Sequence, residues 1–250
     1  MKTIFLLLFI CSSYHLFGAT FTVSNNNDSG AGSFRQSVLD ANSSPGNDII
    51  DFAVVYNIIL TTSHSSSYDF PPISAFTING KGSTIQGTGT RAFSNLGNNT
   101  VIDLLAFSQF VSGVFLCNPG AGGVVTISNT FFSTNHNSAT ISQGGCILQF
   151  SGDLFLNNNS FWNCSADLGG AICVRFGLSC HINVINISSC LANDFGDAIY
   201  MFNESELFLN GQTLIDTNIY RNPFEAGFNA GTVTFLAGFF MIPGNPLQID

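Results

Sequence analysis

A short phrase, Gly-Gly-Ala-Ile at residues 169–172, has two altered copies in this chain, GGCI at 144–147 and GDAI at 196–199. It therefore recurs after 25 and then 27 residues. Self-similarity at a fixed period of this length is the mark of a stacked architecture, in which each unit buries its apolar face only against its neighbours. The glycines fit tight bends, where a position without Cβ is sterically free. Ala171 and Ala198 suit the narrow corner that follows.

The segments between the copies agree. FTING at 76–80, VIDLLAF at 101–107, VVTISNTFF at 124–132, LFLNNNSFW at 154–162, INVINISSC at 182–190, LFLNGQTLI at 207–215 and VTFLAGFF at 233–240 are short, apolar and rich in β-branched or aromatic residues. Taking Ile78, Ile102, Ile127, Leu156, Val184, Leu209 and Phe235 as equivalent gives steps of 24 to 29 residues. Period-2 alternation in Leu154 and Leu156, and in Ile182 and Val184, marks strands. An immunoglobulin-like sandwich also needs many strands, but its strands need not recur in phase with their turns. The expectation is an all-β chain: a right-handed parallel β-helix of about seven coils, with a richness in phenylalanine that suits stacking between coils in the interior.

One helix is expected, near the start of residues 20–60, which form the N-terminal cap and first coil. In SFRQSVLDANSSPG, Phe34, Val38 and Ala41 share a face with Leu39 beside them. Ser33 caps the start and Pro45-Gly46 stops the helix. It covers the open end of the solenoid. The repeats occupy 61–250.

Before them stands MKTIFLLLFICSSYHLFGA, with Lys2 as a positive n-region, an apolar run from Ile4 to Ile10, and the small residues Gly18 and Ala19. This reads as a secretory signal peptide over 1–19, with the cut near Ala19, although Leu16 and Phe17 are large for a cleavage pocket. No transmembrane segment is expected in the mature chain, since no later apolar run is long enough to span. With six Lys and Arg and a net charge of −9, the chain is not suited to nucleic acid or to anionic lipid. Only 8% of residues are charged, so solubility rests on Asn, Ser, Thr and Gly. Asn also tolerates bends and can form polar ladders along a stack.

Six cysteines follow the signal: Cys117, Cys146, Cys164, Cys173, Cys180 and Cys190. In an exported chain they allow up to three disulfides. Cys164 and Cys190 lie 26 residues apart, about one coil, so stacking brings them close. The spacings do not form a zinc knuckle, and His136 and His181 do not complete one.

The segment GAGSFRQSVLDANSSPGNDIIDF resembles the N-terminal signature of exported bacterial parallel β-helix proteins, G-x-G-S-L-R-Q-A-I-x-x-A-N followed by P-G-x-D-x-I-x-F. Gly30, Gly32, Ser33, Arg35, Gln36, Ala41, Asn42, Pro45, Gly46, Asp48, Ile50 and Phe52 match it. The later coils are similar to the polymorphic outer-membrane protein repeats of chlamydia-like bacteria, which pair F-x-x-N with G-G-A-I. Phe132 to Asn135 and Phe155 to Asn158 carry the first half, and Gly169 to Ile172 the second. Cys164 stands where the Asn paired with Phe161 belongs, Cys146 replaces Ala, and Asp197 replaces the second Gly. The resemblance implies a passenger-type protein, exported to the medium or the outer-membrane surface. It implies adhesion or surface display, with a host or cell-surface protein or a glycan as partner, no catalysis and no cofactor.

The competing expectation is a carbohydrate-active β-helix enzyme, a lyase or glycoside hydrolase, which needs paired carboxylates and a basic residue or calcium beside a groove. Asp194 and Asp197, with Arg175 about one coil earlier, are the candidate set, and Tyr200 and Trp162 are candidate aromatic platforms. The bland reading makes Asp194 part of a bend and Asp197 a replaced turn glycine, while Asp48 and Asp51 serve as cap and turn residues. His64, His136 and His181 lack a carboxylate partner in sequence, so a Ser-His-Asp triad has no support. Loops at 63–68 and 87–99 offer further binding surface.

Overall fold

The structure is a computed structural model that describes residues 18–61, 68–70, 75–88, 91–139, 142–176, 178–215, 219–221, 232–237 and 240–241. The expected signal up to Phe17, His64, residues 63–67 of the first loop and 89–90 of the second lie outside the described residues.

The chain is a parallel β-solenoid of about seven coils. Among the described residues every pairing between strands is parallel and joins segments one coil apart. The largest sheet runs through Thr20–Val23, Asp48–Phe52, Phe76–Gly87, Thr100–Ser108, Phe131–Ser133, Asp153–Trp162, Ser179–Ser188, Glu206–Ile215 and Thr232–Ala237. A second sheet carries the short strands after the glycine turns, among them Phe115–Cys117, Ile147–Gln149, Ile172–Val174 and Ile199–Met201. Ser165–Leu168 and Leu191–Phe195 form a third, narrow side.

Single residues in the left-handed region bend each coil. Asn129, Asn158 and Val184 (φ 48°, 52° and 60°) sit at one bend, and Thr134, Asn163 and Ser189 (φ 51°, 52° and 54°) at the next. Asparagine tolerates this backbone better than most L-residues. At the first bend it also joins the coils: Asn158 donates to Asn129 at 2.8 Å, and Asn129 to Asp103 at 2.7 Å. The expected polar ladder is therefore present.

Register settles the equivalences. Ile78, Ile102, Ile127, Leu156, Ile182 and Leu209 form one column, so Ile182, not Val184, is the fifth member. Val184 lies in the bend itself. Likewise Phe132 stacks on Phe107 and Phe161 (ring centroids 6.0 and 4.7 Å), so Phe161 and Cys164 are the counterparts of Phe132 and Asn135. Phe155 to Asn158, read from sequence as a second F-x-x-N, is out of phase: Asn158 occupies the bend, and Phe155 points outward from the alternating strand.

Two buried asparagines sit where the ladder is interrupted. Asn135 accepts the Phe110 N–H and donates to the Phe107 carbonyl, at 3.1 and 3.0 Å. Asn159 accepts from Thr130 N and donates to Ile127 O, at 3.0 and 2.8 Å. Each replaces a missing backbone bridge, so its burial leaves no orphan amide.

The helix is Phe34–Ser43. Ser33 caps it, its hydroxyl accepting from Gln36 N at 3.1 Å. Phe34, Val38 and Ala41 join the core, and Phe34 packs on Phe52 and Phe93 of the first coils. Arg35 pairs with Asp28 at 2.8 Å, both largely buried. Asp48 and Asp51 bind neighbouring chain segments, as a cap and turn reading requires.

One disulfide joins Cys146 and Cys164, whose Cα atoms are 6.5 Å apart. Cys117, Cys173, Cys180 and Cys190 are buried and lie outside this bridge, so the bridge seen is one of the up to three that six cysteines allow. Cys190 does stack one coil from Cys164, since Leu191 N bonds Cys164 O at 3.0 Å. But stacked neighbours point the same way. Cys146, at the glycine turn, and Cys164, at the opposite corner of the narrow side, point into the same space. A bridge across 18 residues removes about 3 kcal/mol of denatured-chain entropy. Adding a reductant is therefore expected to lower unfolding stability by about that amount, read from urea midpoints with and without reductant. A Cys146→Ser/Cys164→Ser chain is expected to show no such difference.

Candidate functional site

Strand alternation sends Leu154, Leu156, Cys180, Ile182, Leu207 and Leu209 into the core. The residues between them must face out. Register aligns Phe155 with His181 and Phe208, and Asn157 with Asn183 and Asn210. The three rings stack along the solenoid axis, with centroids 4.4 and 4.6 Å apart and planes within 5° and 7° of parallel. The amides form a second column beside them. Between the columns runs a groove of about 190 Å³, lined by Phe155, Asn157, His181, Asn183, Phe208 and Asn210 with Ile182 at its floor.

The chemistry of this groove is neutral apart from His181. Rings stacked face to face present their edges sideways, and the edge is the positive end of the aromatic quadrupole. Amides supply both donors and an acceptor, of which Asn157 Nδ2 donates to Ser128 Oγ at 3.4 Å and Asn210 Oδ1 accepts from Gly211 N at 3.0 Å. The site was legible as a recurring phrase, Leu-Phe-Leu-Asn at 154–157, Cys-His-Ile-Asn at 180–183 and Leu-Phe-Leu-Asn at 207–210. His181, which lacks a carboxylate partner in sequence, stands between two phenylalanines here.

Two of the candidates chosen from sequence, Asp197 and Arg175, are held by other groups. Asp197 Oδ1 accepts the Ala192 backbone N–H at 2.9 Å, so this carboxylate caps its own turn. Asp194 is exposed on the narrow side. Arg175 lies on the outer side of the second sheet, its guanidinium 4.9 Å from the Phe150 ring and 5.6 Å from the Phe202 ring. Its Nη1 donates to Gln143 Oε1 at 3.2 Å. Tyr200 is buried there with Leu148 and Cys173, so it offers no platform, whereas Trp162 is half exposed on the large sheet.

His136 Nδ1 lies 2.7 Å from Ser165 Oγ. The nearby Asp167 does not orient that imidazole. Its carboxylate accepts from Asn193 and from Ser142 N, each at 2.8 Å, and these bonds hold it below the usual carboxylate range. Burial pushes the Cys180 thiol up to about 12 and the Cys117 and Cys173 thiols higher, so none is a thiolate nucleophile near neutrality. Among the described residues no three His, Cys, Asp or Glu side chains gather into a metal site. No described helix is long and apolar enough to cross a membrane. No protein-family model matches the chain, and no curated protein or solved structure matches it.

Proposed function

We propose that this chain is an exported, non-catalytic binding protein of the surface-display kind, a passenger-type β-helix without its own chemistry. Its recognition face is the groove between the ring column and the amide column, and its ligand is a neutral extended glycan. The observation that carries this reading is the repetition of one ring and one amide per coil on three successive coils. Such a lattice suits a polymer lying along the axis. Coils repeat every 4.7–4.9 Å or so, whereas an extended peptide advances about 3.3 Å per residue and falls out of step. The residues of an extended β-linked glycan advance by about one coil each. A lining without Lys or Arg and the chain's net charge of −9 disfavour acidic polysaccharides.

The capped Asp197 and the stacked Arg175 bear on the enzyme alternative, since both are engaged in holding coils and turns. Titration calorimetry with neutral β-linked oligosaccharides of increasing length tests the reading. Affinity is expected to rise up to about three sugar units, one per paired coil, and Asn183→Ala is expected to weaken binding about tenfold, the equivalent of one lost hydrogen bond. Asp194→Asn is expected to change nothing. Release of shortened sugars, or binding lost with Asp194→Asn and kept in Asn183→Ala, overturns it.

A further inference from the structure

Asp48 is 2% exposed. Its Oδ1 accepts from the Ala19 backbone N–H at 2.7 Å and from the Ser44 hydroxyl at 3.4 Å. Neither donor carries a charge. A buried carboxylate held, among the described residues, by neutral donors bears a large desolvation cost, which a cation at the same place offsets. Ala19 is fixed there on its other side as well, since its carbonyl accepts from Ile49 N at 2.8 Å. The first strand, Thr20–Val23, begins at the next residue. Just before it, Gly18 is pressed so close to Asn47 that a Cβ there would lie 1.7 Å from the Asn47 carbonyl oxygen.

We propose that a leader peptidase cuts the Gly18–Ala19 bond, and that the new Ala19 α-ammonium is the counter-ion of Asp48. Water supplies the hydroxyl that completes the Gly18 carboxylate and the proton that completes the Ala19 amine, which a further proton charges at neutral pH. The nitrogen need not move: its present hydrogen bond becomes an ion pair. The cut also removes the crowded contact at Asn47. A cut one residue later discards the donor and places Phe17, rather than Leu16, at the position where cleavage pockets want a small residue. Folding then favours one processed form, because only that terminus neutralises Asp48. The inference rests on the export reading and moves its cleavage point one residue upstream of the 1–19 boundary expected from sequence.

The test is export of the full chain from a bacterial secretion host, with intact mass and N-terminal sequencing of the product. The expected first residue is Ala19, and a product starting at Thr20 or beyond overturns the proposal. A chain recovered uncut in the cell overturns the export reading itself, which is a distinct result. On the processed protein, Asp48→Asn keeps an acceptor but removes the charge. It is expected to lower the thermal midpoint by about 4 °C. Selective acetylation of the α-amine is expected to lower the wild-type midpoint similarly and to leave that of Asp48→Asn unchanged. Equal effects of acetylation on both chains, or no effect of Asp48→Asn, overturn the ion pair.

Discussion

Phe132→Ala is expected to destabilise the protein by about 3–5 kcal/mol, the usual cost of deleting a fully buried aromatic side chain. Phe132 is fully buried and lies in the middle of the column. It stacks on Phe161 at 4.7 Å and on Phe107 at 6.0 Å, and meets the edge of Phe115 at 5.5 Å. Rings above and below are held by strand register and cannot close the hole. In a solenoid the loss is also local, because stability is a sum over neighbouring coils. Phe132→Ala is therefore expected both to lower the urea midpoint and to broaden the transition, as the coils on either side uncouple. A shift below about 1 kcal/mol with an unchanged slope contradicts the column as a source of stability.

The glycine turn gives the second large effect. Gly169 has φ 68°, and a Cβ there would lie 2.1 Å from the Ile172 carbonyl oxygen. Gly169→Ala meets the left-handed penalty of about 1–3 kcal/mol and a backbone clash of similar size. Gly170 tests the second term alone. It is not in the left-handed region, but a Cβ would sit 2.2 Å from Asp197 O on the next coil. Gly170→Ala must push two coils apart. Gly120 is the control, with φ 84° and nothing within 4 Å of a Cβ, so Gly120→Ala is expected to cost only about 1–2 kcal/mol. The order expected in chemical denaturation is Gly169→Ala above Gly120→Ala, with Gly170→Ala also destabilising despite its ordinary backbone. If all three fall together, close approach of the coils is not what selects glycine here.

Much of the scaffold was readable from residue order. Ser33, Pro45 and the Phe34, Val38, Ala41 face gave the helix, because capping and amphipathic spacing are local. The narrow corner expected for Ala171 and Ala198 is present, and both are fully buried. The candidate site was less readable. Asp194 and Asp197 are close in sequence, yet a turn amide holds one while the other faces solvent. Arg175, one coil away by count, is on another side of the coil between two phenylalanines. The ring column was visible only as a phrase in three copies, and aligning Val184 with Leu156 hid it.

The period, the number of coils and the capped end follow from residue order, since each depends on contacts within a coil or on repetition. Which side chains stand together from coil to coil is set by the fold. That depends on register, and a slip of one residue sends every side chain of a strand to the opposite face. Single left-handed residues at Asn158, Val184 and their counterparts reset the alternation inside each strand. Counting from one bend therefore does not say which way the next residue points. The pairing of Cys146 with Cys164, the stack of His181 between two phenylalanines and the place of Asp48 beneath Ala19 were all fixed at that level.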